Sequence, residues 1–229
     1  MSADASPDRR ARLVRPLLIA FLVVSAVDLA GVLADASPVH LVAKPLLMPL
    51  LAGYAAARRG PRPLVAALLL GWGGDVFLLS DTDTAFLVGM GCFAAGHVCY
   101  LWLFGRARSS LPLGLAYAVV LAVFLVLLRG GLPAELRIPV TGYSLLLAAM
   151  AYRSSTRGRY AGLGGALFLL SDALIATGVA DWPQLPAPGF WVMLTYVLAQ
   201  FLLTVGALAP GARWAAVTSG AYGERSISI

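Results

Sequence analysis

The sequence predicts an all-α protein: a polytopic bundle of eight transmembrane helices with both termini cytoplasmic. Three observations carry that expectation. The 229 residues are 60% hydrophobic and only 12% charged, with a mean hydropathy of +0.84, far from the usual range of a water-soluble domain. Apolar runs of about twenty residues, enough to cross a hydrocarbon core, follow one another between short connections rich in Gly, Pro, Asp and Arg. The arginines, finally, are concentrated in every second connection.

Residues 1–12 read as a basic cytoplasmic segment, residues 13–210 as the membrane domain and residues 211–229 as a loosely ordered cytoplasmic tail. The first span is Leu13–Ala34. Ala34-Asp35-Ala36 resembles a signal-peptidase site, but the run is too long for a signal core, contains Asp28 and is followed at once by further spans, so a retained helix is expected. The remaining spans are Pro38–Ala57, Arg62–Ser80, Thr84–Gly105, Pro112–Leu128, Leu136–Arg153, Tyr160–Ala180 and Pro188–Ala209.

Charge placement tests that count. Arg9, Arg10, Arg12, Arg15, Arg58, Arg59, Arg62, Arg106, Arg108, Arg153, Arg157, Arg159, Arg213 and Arg225 fall on one side, fourteen of the seventeen basic residues. The other side holds Asp35, Asp81, Asp83, Glu135 and Asp181 with only Arg129 and Arg137. Eight spans satisfy the positive-inside rule, and an odd number breaks the alternation. The net charge of +6 therefore reports membrane orientation and not nucleic-acid binding. Abundant Arg and Ala with a single lysine fit a GC-rich bacterial source, hence a bacterial cytoplasmic membrane. Spans three and seven each carry an Asp at similar depth, and spans four and eight each a Tyr at similar offset. A four-plus-four duplication and coincidence among similar apolar helices both account for this.

The chain is organised around Leu68–Ser80, LLLGWGGDVFLLS, where Asp75 interrupts an apolar run, and around GALFLLSDALIATG from Gly165, which repeats the arrangement with Asp172. A carboxylate in hydrocarbon costs about 2.5–3.5 kcal/mol even on lenient scales, so it marks a functional candidate by default. With Asp28 and Lys44 these are the four charges inside the spans, and all fall near one level. Three acids facing one base leave two uncompensated negative charges, so at least one carboxyl should hold a proton near neutral pH. A neutral acid beside an ionised one is what general acid–base chemistry requires. The structural alternative is a set of buried hydrogen bonds that fix packing; function is favoured for Asp75, Asp172 and Lys44, and packing for Asp28.

Lys44 precedes Pro45 and Pro49, which release backbone carbonyls and bend the helix, and it suits an anionic headgroup or a carboxylate; snorkelling is the plainer alternative. In the fourth span Gly89, Cys92, Gly96 and Cys99 form a small-residue face for helix contact. Met90, Phe93, His97, Tyr100 and Phe104 line the neighbouring face, so His97 and Tyr100 are expected to orient an acid or bind substrate. Cys92 and Cys99 lie about 10 Å apart along one helix and do not bridge. Tyr196, Gln200 and Thr204 form a polar stripe in the last span that must face protein or cavity. Spans five and six offer little beyond Tyr117, Tyr143 and Ser144 and read as scaffold. The lone histidine of the fourth span has no ligand cluster around it, so no metal site and no cofactor are expected.

This constellation resembles the YhhN-type lysoplasmalogenases, small integral membrane enzymes of about eight spans. The matching elements are KPLLMPLL from Lys44, GDVFLL from Gly74, the spaced Phe86, Gly89, Phe93, His97 and Tyr100, GALFLLSDALIA from Gly165, and YVLAQ from Tyr196. They cover five spans in the family's order. The resemblance implies a protein in contact with membrane lipids that hydrolyses the vinyl ether bond of lysoplasmalogen-type lysophospholipids, giving fatty aldehyde and a glycerophospho-amine. Asp75 and Asp172 would divide the acid and base roles of that chemistry, and, carried over by motif position, Lys44, His97, Tyr100, Tyr196 and Gln200 would line the substrate pocket. A proton-coupled transporter using the same buried acids is the main rival, and a non-catalytic membrane scaffold the third reading.

Overall fold

The computed structural model describes residues 9–80, 82–106 and 110–209. Its eight α-helices are α1 (Arg9–Leu33), α2 (Ser37–Ala57), α3 (Arg62–Phe77), α4 (Asp83–Phe104), α5 (Leu111–Leu128), α6 (Ala134–Ser154), α7 (Arg159–Val179) and α8 (Pro188–Leu208), with one 3₁₀ turn at Ser155–Arg157 and no strand among the described residues. Six of them, all but α3 and α6, are long and apolar enough to cross a membrane. The 211–229 tail, Asp81 and Arg108 lie outside the described residues.

Helix ends follow local chemistry. Thr82 caps α4 by accepting the Ala85 amide at 3.2 Å, the usual role of a hydroxyl at that position. α3 ends at Phe77, three residues before the end expected from the apolar run, because Leu79 and Ser80 bond back three residues, to Val76 and Phe77, instead of four. Arg157 donates to the carbonyls of Leu103 and Phe104 at 2.7 and 3.4 Å, and Arg153 to that of Gly105. Two arginines thus cover the free carbonyls and the negative dipole end of α4. α2 runs unbroken through Pro45 and Pro49.

Sequential helices pack side by side except α4 and α5, α4 packing on α6 instead, and α8 returns to touch α1, α2 and α3. Close approach depends on missing side chains. A Cβ on Gly96 would lie 3.2 Å from the Ala67 carbonyl of α3, and one on Gly206 would lie 2.6 Å from the Ala161 amide of α7. The core centres on Leu47, Leu51, Leu68, Phe93, Phe168 and Leu203. Outward faces are apolar instead of charged: Leu69, Trp72 and Val76 on α3, Trp102 on α4, Val126 on α5 and Ile138 on α6 are all exposed. A surface of that kind is covered by lipid or protein.

Candidate active site

Asp75 enters the bundle near the end of α3 and is 2% exposed. Its Oδ2 accepts a hydrogen bond from the Tyr196 hydroxyl of α8 at 2.7 Å. The Tyr196 oxygen in turn accepts from Gln200 Nε2 at 3.4 Å, and Gln200 Oε1 accepts from the Tyr100 hydroxyl of α4 at 2.7 Å. Every donor points one way, from Tyr100 through Gln200 and Tyr196 to the carboxyl. The polar stripe on α8 is buried against protein, where its spacing of four residues keeps Tyr196 and Gln200 on one face.

Asp172 ends a second chain of the same form. Its Oδ2 accepts a hydrogen bond from the Tyr143 hydroxyl of α6. With that hydrogen spent, the Tyr143 oxygen accepts from His97 Nε2 at 3.1 Å. The network therefore sets the imidazole as the Nε2–H form, with buried Nδ1 left without a partner. Tyr143 is the residue that sequence reasoning missed, having been assigned to scaffold. A signal was present: Tyr143, Leu147, Met150 and Ser154 recur at three- and four-residue steps, the last three being buried, which marks the inner face of α6.

Phe93 and Phe168 separate the two chains. Each stands edge-on to Tyr196, with centroids 5.9 and 5.5 Å away, and Phe168 also meets the His97 ring at 4.8 Å. Ser171 binds the Val192 carbonyl at 3.0 Å and fixes α7 against α8 one residue before Asp172.

Lys44, Asp75, Asp172, Tyr143 and Tyr196 line one cavity of about 300 Å³, whose other walls are largely apolar and come from α3 to α8. His97, Tyr100 and Gln200 do not line it; they stand behind the tyrosines as donors. Asp28 is not in this cavity either. Its carboxyl is fully buried and pairs with His40 Nδ1 at 2.9 Å, a partner the sequence reading did not consider. The cavity thus holds two carboxyls and one ammonium, in place of the three acids expected. Among the described residues no group of three or more His, Cys, Asp or Glu gathers as a metal site.

Residues 39–207 match the YhhN family, a stretch that contains every residue of both hydrogen-bond chains. The chain belongs to the YhhN family. This YhhN-family member is 40% identical over 155 residues to lysoplasmalogenase TMEM86B of Sus scrofa, covering 67% of the chain and 64% of that relative. It is 38% identical over 147 residues to lysoplasmalogenase TMEM86B of Homo sapiens, covering 63% of each. It is 33% identical over 176 residues to a lysoplasmalogenase of Mycobacterium bovis, covering 69% of the chain and 66% of that relative. The chain thus spans just under two thirds of the length of these relatives. No solved structure matches it.

Proposed function

We propose that this protein is an integral membrane hydrolase that cleaves the vinyl ether bond of lysoplasmalogen-type lysophospholipids, releasing a fatty aldehyde and a glycerophospho-amine. The observation that carries the reading is the opening of Asp75 and Asp172 into one mostly apolar cavity, each carboxyl held by a tyrosine. The relatives' names supply the reaction, and they give a transporter no support.

Vinyl ethers resist nucleophiles but react with acid. One carboxyl of the pair gives its proton to the alkene carbon remote from the ether oxygen, leaving an oxocarbenium ion. The other, ionised, offsets that charge and takes a proton from water as its oxygen bonds to the cationic carbon. The hemiacetal then breaks its bond to the glycerol oxygen, its own hydroxyl proton passing through water to the leaving oxygen. The proton gained by the second carboxyl returns through water to the first. Tyr196 and Tyr143 hold the carboxyls in place, and Lys44 offsets the charge of the ionised one.

The membrane domain in this reading is residues 13–210 with eight spans, both termini cytoplasmic, in a bacterial cytoplasmic membrane. Outward apolar stripes on α3 and α6 support counting these two as spans. A four-plus-four duplication is supported by the repeated order of neighbours, α2–α3–α4 and α6–α7–α8.

The test is aldehyde release from a 1-alkenyl lysophospholipid by protein in detergent. Asp75→Asn and Asp172→Asn should each abolish it while the protein stays folded. Full turnover in both variants, or substrate-driven proton flux in liposomes without product, defeats the reading.

A further inference from the structure

A second cavity of about 310 Å³ lies where the outer turns of α1, α2 and α8 meet, and Asp35, Ser37, His40 and Lys44 line it together with Val192 and Met193. Lys44, Val192 and Met193 also line the cavity that holds Asp75 and Asp172. The two spaces are therefore adjacent, with the Lys44 side chain at their shared wall. Both have largely apolar walls; the first carries the two buried acids, and the second carries the polar side chains of Asp35, Ser37, His40 and Lys44.

Two groups in this vestibule offer hydrogen to an anion. Lys44 makes no ion pair and no hydrogen bond among the described residues, although an ammonium so far along a helix needs an anionic or polar partner. His40 is 26% exposed, and its Nδ1 is taken by fully buried Asp28. With Nδ1 engaged, Nε2 is the ring nitrogen left for a ligand, and an anion brought beside it favours the imidazolium, which donates from Nε2 while Nδ1 stays on the carboxylate. Asp28 thus acts as a positioning residue for His40. Asp35 also lines the vestibule but is exposed, where water screens its charge.

We infer that this vestibule is the headgroup subsite: Lys44 and His40 grip the phosphodiester of a lysophospholipid whose ether end lies between Asp75 and Asp172. The inference rests on the lysophospholipid reading above and adds the orientation of the substrate and the residues that select it. It assigns a ligand role to His40 and gives the buried Asp28–His40 pair a purpose that the chemistry of the other two acids leaves unexplained.

The test is binding, so that it stands apart from hydrolysis. Full-length protein in nanodiscs is titrated with a 1-O-alkyl lysophosphoethanolamine, whose saturated ether survives, with the matching 1-O-alkylglycerol, and with inorganic phosphate. The phosphate-bearing lipid should bind about tenfold or more tighter than the alkylglycerol, the scale of one charge-assisted hydrogen bond. Lys44→Gln and His40→Gln should each shrink that preference, and inorganic phosphate at millimolar concentration should not displace the lipid. Equal binding of the two lipids to the unmodified protein overturns the proposal without recourse to any variant. So does equal weakening of both lipids by the variants, or saturation by inorganic phosphate with no preference between lipids. Absence of aldehyde release with an intact phosphate preference defeats the hydrolase reading and leaves the subsite standing.

Discussion

Tyr196 on α8 donates its phenolic hydrogen to Asp75 on α3 across 2.7 Å, joining residues 121 positions apart in the chain. The bond holds the carboxyl in one orientation, and its ring is itself fixed edge-on between Phe93 and Phe168. Tyr196→Phe should keep the packing and lose only the donor. Steady-state aldehyde release should fall about ten- to a hundredfold, as expected for one hydrogen bond to a charged group, with the loss in kcat more than in KM.

The matching prediction concerns α6. Tyr143→Phe should slow turnover on the same scale, and His97→Leu should do so less, because His97 reaches Asp172 only through the Tyr143 oxygen. The double variant Tyr143→Phe, His97→Leu should be no slower than Tyr143→Phe alone. Additive losses would show that His97 acts by another route.

How far the sequence could lead is visible in these two chains. Asp75 and Asp172 stood out because a charge inside an apolar run is costly wherever it lies, and Tyr196 and Gln200 because a spacing of four puts both on one face. Tyr143 did not, since one phenol in an apolar helix is equally at home against lipid. The pairing of Asp28 with His40 was also out of reach: the two lie on different helices, and helical periodicity says nothing about which faces meet. Run length located all eight helices, but not the early end of α3, which is set by the tight turns leading to the Thr82 cap.

Close packing of α3 on α4 should be measurable by paired substitutions. A Cβ on Gly74 would sit 2.5 Å from the Phe93 ring, while one on Gly91 meets nothing within 4 Å. Gly74→Ala should cost about 1–3 kcal/mol of stability and disturb the ring beside Tyr196, whereas Gly91→Ala should be close to neutral. Thermal unfolding in detergent, compared for the two variants, checks this.

Isotopes report the order of bond making. In deuterium oxide, with the aldehyde trapped by reduction as it forms, one deuterium should appear on the carbon next to the former carbonyl. In heavy-oxygen water the label should enter the aldehyde-derived alcohol and not the glycerol. Label in the glycerol would mean attack on the other side of the ether and would exclude protonation of the alkene.

The 3₁₀ turn before α7 should matter for folding and not for chemistry. Arg157→Ala removes a donor from the Leu103 and Phe104 carbonyls and should lower stability by about 1 kcal/mol. Turnover per folded molecule should stay unchanged.

With only 16 residues, α3 reaches about 24 Å, whereas a bilayer's oily layer measures about 30 Å. In the eight-span reading proposed above, the lipid around α3 must thin or its flanks must dip inward to meet it. That reading brings Asp75, two residues before the end of α3, toward interfacial moisture while its side chain stays buried in protein. Turnover should accordingly depend on acyl-chain length in reconstituted vesicles, running faster in thin bilayers than in thick ones, so that the membrane itself becomes a regulator of the reaction.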